Sequence, residues 1–348
     1  MTKQAHVHDK NAIMSLKGVD LMKYRKLGKT NVSVSEIAMG CWQLGGKWGD
    51  PFDSVVADET LKSAIKQGIN CFDTADVYIG GESERAIGRF LKETQEQVFV
   101  ITKIGRWLNP HTPEGYNEEN LRKFIDQSRK NLQVDALDMV LLHCPPYEVY
   151  YMPEVFEILD KLKNEGKIKH YGVSVQKVEE ALIAMEYPGV EAIEIIFNMF
   201  RLRPAELFFQ EAKKKNVGVI VRVPLASGLL TGKFSKNTTF SSDDHRQSNR
   251  QGEWFDRGET FSGVDYASGL QAVEALKEVF PNESLPMIAL RWILMFDAVS
   301  TIIPGASKPE QIVNNAKASE LKPLTQPQMK QVEAIYNQYI KDQVHRRW

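Results

Sequence analysis

Short, nearly unbroken apolar runs recur along the chain: VSEIAMG (34–40), INCFD (69–73), VFVITK (98–103), LDMVLLH (137–143), IKHYGVS (168–174), AIEIIFN (192–198), VGVIVRV (217–223) and VSTIIPG (299–305). They are rich in Val and Ile and show little alternation, as strands covered on both faces do. Between them the period changes. Leu121, Phe124, Ile125, Ser128 and Leu132 are three or four residues apart and share one helical face. Ala86, Ile87, Phe90 and Leu91 repeat the pattern, as do Val155, Phe156, Leu159 and Leu162, which Gly166 stops. Eight strands alternating with helices predict an α/β fold, a closed (β/α)₈ TIM barrel, with its chemistry in the loops that follow the strands.

Ahead of the first run, residues 24–27 and 32–34 flank Gly28-Lys29-Thr30-Asn31, a pattern that predicts a hairpin plugging the amino-terminal mouth of the barrel. Residues 1–21 are polar and irregular and read as an extension outside the fold, leaving residues 22–348 as a single barrel domain. The longest irregular stretch runs from about Lys233 to Gly263, after the seventh strand. Loops this long inside a compact domain are usually functional. Its position predicts a flap at the catalytic face, with Trp254 and Phe255 supplying its apolar contact.

Composition narrows the function. A chain of 348 residues without a Pro/Gly/Ser-rich linker suits one barrel with insertions. Its net charge of -1 gives no general attraction to nucleic acid or an anionic membrane. No apolar run reaches the roughly 18 residues that a membrane helix requires. Cys41, Cys71 and Cys144 are odd in number, and two lie in or beside strands; they read as reduced thiols of a cytoplasmic protein. Composition says nothing of the oligomeric state.

Asp73, Tyr78, Lys103 and His143 each fall at or just past the carboxyl end of a strand, so they converge on one mouth of the barrel. Taken singly, Asp73 with Lys103 reads equally as a structural ion pair, and His143 as a packed core histidine. A lysine at such a position also serves Schiff-base aldolases, with Lys103 as the nucleophile. No metal site is expected: the first strand ends in Gly40-Cys41-Trp42 and not in a His-x-His pair, and His6-Val7-His8 lies in the extension.

Several ordered motifs make the pattern specific. FDTADVY (72–78), GESERAIGRFL (81–91), ITK (101–103), DMVLLHCP (138–145), GVSV (172–175), PLASGLLTGKF (224–234) and IPGASKPEQIVNNA (303–316) together resemble the aldo-keto reductase family over residues 22–321. The resemblance implies a (β/α)₈ barrel that reduces aldehydes or ketones to alcohols with a nicotinamide cofactor, usually NADPH. Carbonyl reduction needs a proton donor within hydrogen-bond reach of the developing alkoxide. The roles implied are Tyr78 as general acid, Lys103 stabilising its phenolate, Asp73 holding that ammonium, and His143 as a second donor to the carbonyl oxygen. A phenol with a pKa near 10 is otherwise a poor acid at neutral pH.

No G-x-G-x-x-G turn follows the first strand, so the phosphates of a dinucleotide need another cradle. Pro224, Leu225, Ser227, Gly228, Leu229, Gly232 and Lys233 offer small residues, backbone N–H groups and a cation, and by resemblance hold the pyrophosphate. Gly305, Ser307, Lys308 and Gln311 open a helix and are the candidates for the 2′-phosphate, with Asn314 and Asn315 near the adenine. Gly40, Cys41, Trp42 and Asp73 complete the cofactor-contacting set. At the nicotinamide end the chain departs from the family pattern. Ser174-Val175 replaces Ser-Asn, Glu194 replaces Gln, and Arg222 stands where an aromatic ring usually stacks. Arg222 can stack its planar guanidinium instead, with Glu194 offsetting its charge. The substrate expected is a small carbonyl compound that the sequence does not identify; Trp42, Trp107 and residues 339–348 are candidate pocket walls. Some members of the family serve as cofactor-sensing subunits, a role for which no interaction domain is evident here.

Overall fold

The computed structural model describes residues 22–46 and 51–348. The His6-Val7-His8 pair and the rest of the proposed extension lie outside the described residues. Strands β1 (Tyr24–Lys26) and β2 (Ser33–Ser35) form an antiparallel hairpin. The barrel sheet follows in chain order: β3 (Met39–Gly40), β4 (Cys71–Asp73), β5 (Phe99–Ile104), β6 (Leu137–His143), β7 (Ile168–Ser174), β8 (Val190–Ile196), β9 (Gly218–Arg222) and β10 (Val299–Ile302), each parallel to the next. Two isolated parallel bridges, Ile37 to Ile302 and Gly40 to Gly305, close the first strand onto the last. At Gly40 a Cβ would sit 2.8 Å from the Ile303 carbonyl oxygen, so the seam requires a glycine there. No helix among the described residues is long and apolar enough to cross a membrane.

The run 34–40 is not one strand. At Glu36 the chain changes partners: Glu36 N–H donates to the Lys23 carbonyl, while its own carbonyl accepts from Ile302 N–H. The buried Glu36 carboxylate fixes that switch by accepting from Arg25 and Ser319. The run 192–198 is likewise shifted, the strand beginning at Val190. The expected helix faces are those that pack: Leu121, Ile125, Ser128 and Leu132 are buried in the helix Glu118–Leu132, which Asn117 caps.

Alternation along each strand divides the apolar side chains into two cores. Val100, Ile104, Val140, Leu142, Ile193, Ile195, Val219 and Val221 face the surrounding helices. Cys71, Ile101, Leu141, Ala192 and Ile220 point into the barrel, where Leu27 and Val34 of the hairpin join them. The plug is held at the amino-terminal mouth by Lys29 N–H on the Asn216 carbonyl, and Gly28 lies so close to Gly218 that a Cβ would meet its nitrogen at 2.2 Å. Two residues further along five of these strands, on the same inward parity, lie Asp73, Lys103, His143, Glu194 and Arg222. The fold thus aims five functional groups into one mouth.

The stretch 233–263 is more ordered than the sequence suggests. It contains the short helix His245–Ser248, capped by Asp244, and helical turns at Arg257–Glu259 and Phe261–Gly263. Of the two contacts expected of it, Trp254 is 67% exposed and makes no apolar anchor, whereas Phe255 is half-buried with its ring 6.0 Å from that of His245. The anchor is Trp348, whose indole N–H donates to Asp256 at 2.8 Å and whose ring stacks under the Arg201 guanidinium at 4.2 Å. Truncating the plug tests its contribution. Leu27→Ala, which empties a fully buried position beneath the barrel, is expected to cost about 2–5 kcal/mol, read as a lower urea midpoint with little change in slope.

Candidate active site

Lys103 is the hub. Its ammonium donates to Asp73 Oδ1 at 2.5 Å, to the Thr74 carbonyl at 3.0 Å and to Tyr78 Oη at 3.3 Å. Glu194 Oε2 lies 3.5 Å away on the far side, and none of Lys103, Asp73 and Glu194 exposes more than 3% of its side chain. Burial alone would push the ammonium's pKa down, but Asp73, Glu194 and Tyr78 more than offset this and hold it above the ordinary lysine value. Asp73 is pushed up, first by burial and then by Glu194, against the pull of Lys103.

Tyr78 sits at the head of a kinked turn, Tyr78–Gly81, in which the β-branched Ile79 adopts φ +50. This uncommon backbone for such a residue turns the chain sharply between the ring and the helix Glu82–Glu93. Because the ammonium donates to the phenol oxygen, the phenolic hydrogen is left to point elsewhere. Burial raises the Tyr78 pKa, and the opposing influence of Lys103 does not reverse the shift. In the ligand-free protein the hydroxyl is therefore protonated, while Lys103, through its charge and its hydrogen bond, acts in the direction expected of it and favours the phenolate. The His143 ring meets Tyr78 edge to face, with centroids 5.9 Å apart. Burial, then the cations Arg106, Lys103 and Arg222, holds this imidazole well below its usual pKa, so it is neutral. Asp76, two residues before Tyr78, is buried and pushed up to about 8 by desolvation and by Glu84.

Arg222 does not stand alone above this layer. Its Nη2 donates to the Val175 carbonyl at 3.0 Å and to Gln176 Oε1 at 2.9 Å, and its Nη1 is 3.4 Å from Glu259 Oε2. Glu194, the expected counter-ion, is more distant at 3.9 Å and accepts from the Ser174 hydroxyl at 3.1 Å. Glu259 also takes hydrogen bonds from Gln176 at 2.5 Å and Arg106 at 3.3 Å, while Arg106 Nε donates to the His143 carbonyl at 3.2 Å. Glu259 stays ionised because those cations and donors outweigh its burial.

The remaining candidates divide by availability. After β9, Val223, Ala226 and Ser227 all have positive φ, as does Gly228, so the backbone there is coiled tightly. Leu229 is buried and can offer a ligand only its main chain, Pro224 is buried, Leu225 is half-buried, and Lys233 is exposed beyond Gly232. The Ser227 hydroxyl is already engaged, donating to the Glu259 carbonyl and accepting from Phe261 N–H. After β10, Gly305 is exposed, and a Cβ there would meet only Gln43 Oε1, at 3.9 Å. Ser307 bonds Gln311 through both N–H and hydroxyl, and Lys308 is exposed at the start of the helix Pro309–Ala316, with Asn314 exposed and Asn315 half-buried along it. Cys41 is fully buried, its N–H on the Asp73 carbonyl and its carbonyl on Ser83, while the Gly40 N–H is spent on the seam. Trp42 remains half-buried, edge-on to His245 at 5.1 Å.

Comparison with known proteins accords with this geometry. The model of the Aldo/keto reductase family matches residues 36–337. The chain belongs to that family. Aldo-keto reductase YhdN of Bacillus subtilis (strain 168) is 29% identical over 294 residues, covering 84% of this chain and 87% of that protein. An NADH-specific methylglyoxal reductase of Escherichia coli (strain K12) is 26% identical over 313 residues, covering 85% and 93%. Among solved structures, the glycerol dehydrogenase AKR11B4 from Gluconobacter oxydans superposes with a TM-score of 0.75 at 29% identity, covering 91% of this chain and 96% of that one.

This aldo-keto reductase is thus an NAD(P)H-dependent enzyme of carbonyl reduction on a (β/α)₈ barrel. The aldolase alternative is disfavoured by the site itself, because an ammonium held charged between two carboxylates has no lone pair with which to attack a carbonyl. Sequence reasoning missed Arg106, Gln176 and Glu259. The first two lie three residues after Lys103 and two after Ser174, so extending the search by one turn past each strand would have found them. Glu259 carries no local signal, since its partners are 37 to 153 residues away in the chain. The state of His143 is directly checkable: in an NMR titration its imidazole shifts should remain those of the neutral ring as pH falls through 6.5, and a midpoint at or above that value would contradict the assignment.

Proposed function

We propose that Tyr78 is the general acid of carbonyl reduction, that Lys103 and Asp73 hold its hydroxyl in place, and that His143 is the second hydrogen-bond donor to the carbonyl oxygen. The observation that carries this reading is the 3.3 Å hydrogen bond from Lys103 Nζ to Tyr78 Oη, made by an ammonium that Asp73 fixes from behind. It occupies an acceptor position on the phenol and leaves the O–H free to donate. The neutral His143 can donate without competing for the proton.

The cofactor, when bound, supplies the hydride. NADPH is the form we favour, and the residues present fit it. Gly305 borders open space, Ser307 offers a hydroxyl, and Lys308 is exposed at a helix start where N–H groups and the dipole favour an anion. These, with Gln311, would hold the 2′-phosphate, with Asn314 and Asn315 beside the adenine. The main chain of residues 227–229, with Gly232 and Lys233, would take the pyrophosphate. Arg222 would lie flat under the nicotinamide, and Ser174 and Glu194 would meet its carboxamide. Trp42 would flank it, while Cys41 is left out of the set because its polar groups are engaged. A small carbonyl compound as substrate and a cytoplasmic site of action complete the reading.

Two substitutions test these assignments separately. Tyr78→Phe is expected to lower kcat by about 10²–10⁴-fold while leaving the dissociation constant for NADPH little changed; full activity would refute the acid assignment. Lys308→Ala is expected to weaken NADPH by about tenfold and NADH hardly at all, measured by fluorescence titration. Equal affinity for both forms in the parent enzyme, or a preference for NADH like that for which the Escherichia coli relative is named, would defeat the phosphate assignment.

A further inference from the structure

The rim of the site carries an uneven balance of charge. Deep in the mouth, Lys103 is shared by Asp73 and Glu194. Above it, two guanidiniums converge on a single carboxylate: Glu259 lies 3.3 Å from Arg106 and 3.4 Å from Arg222, and Gln176 braces it at 2.5 Å. Arg106 is also tied to the His143 carbonyl, so its charge stands one peptide away from the imidazole. Glu259 belongs to the long loop after β9, and the neighbouring anchors of that loop are independent of its carboxylate: Trp348 holds Asp256, and Ser227 holds the main chain at Glu259 and Phe261.

We infer that Glu259 sets the charge of the substrate this site admits. Its carboxylate offsets the Arg106 and Arg222 pair, so that uncharged carbonyl compounds enter without competition from anions. Without it, the Arg106 guanidinium beside His143 would face the substrate with no carboxylate to offset it or Arg222 behind the cofactor, and its planar fork suits a carboxylate or phosphate group. The enzyme would then favour aldehydes that bear an acidic substituent. This inference rests on the reading of Tyr78 and His143 as the groups that meet the carbonyl oxygen.

A matched pair of substrates separates charge from shape: terephthalaldehydic acid, a benzaldehyde carrying a carboxylate, and its methyl ester. Steady-state kcat/KM is measured for both with the parent enzyme, Glu259→Gln and Arg106→Gln, using NADPH and NADH. In Glu259→Gln, which preserves shape, the acid-to-ester ratio is expected to rise by about tenfold, chiefly through KM, and the gain should shrink at high salt. In Arg106→Gln the ratio is expected to fall. If Glu259→Gln lowers both substrates equally, the carboxylate is only a loop anchor and the inference is overturned. If that variant does not fold, Arg106→Gln decides, since a ratio unmoved by its loss is equally fatal. Parent enzyme that consumes neither cofactor with either aldehyde would instead overturn the underlying reading of Tyr78 and His143.

Discussion

The ammonium of Lys103 is the constraint around which the carboxyl-terminal mouth is built. Taking such a charge out of water costs several kcal/mol, and the cost is recovered only if opposite charges and acceptors converge with good geometry. Asp73 comes from β4, the Thr74 carbonyl from the residue after it, and Glu194 from β8 across the barrel. Their convergence depends on register, because a one-residue slip in any of these strands would turn its functional side chain outward to the helices. The closed sheet therefore does more than carry the site, and the charge in turn rewards one pairing of strands over its neighbours.

Desolvation then divides the labour between two layers. Below, charge is concentrated in Lys103 and its carboxylates. Above, where a substrate oxygen would lie, the phenol of Tyr78 is pushed up in pKa and the imidazole of His143 is pushed down, so both are neutral donors at physiological pH. A neutral donor can follow charge as it develops on the oxygen without first being stripped of a counter-ion. On the proposed reading, Lys103 and its acidic partners serve the reaction by fixing the position of Tyr78 and by favouring its phenolate against the cost of burial.

Much of this was legible in the sequence, for a physical reason. Strands buried on both faces must be apolar, so the inward polar residues that close INCFD, VFVITK and LDMVLLH stand out as Asp73, Lys103 and His143. The same parity marks Glu194 and Arg222. Where one apolar run serves two sheets, hydrophobicity alone cannot show the break: the segment 34–40 reads as a single strand, yet Glu36 divides it between hairpin and barrel. Long-range polar pairing is harder still. Nothing near Glu259 announces Arg106 or Arg222, and nothing near Asp256 announces Trp348, because such partners are chosen by the folded surface and not by neighbours in the chain. Trp254 misled for the complementary reason, since a large apolar residue in a loop is free to remain in water.

The seam between β3 and β10 has a thermodynamic corollary. The junction is made by bridges at Ile37 and Gly40, with Ile302 N–H on the Glu36 carbonyl, Ala38 N–H on the Ile302 carbonyl and Gly40 N–H on the Pro304 carbonyl. Trp42 lies just beyond one side of it and Gly305 to Lys308 just beyond the other, so a nucleotide touching both would act as a clasp across the edge where the cylinder closes. Occupancy and resistance to unfolding would then rise together through linkage, and the starved enzyme would be the one whose barrel opens first.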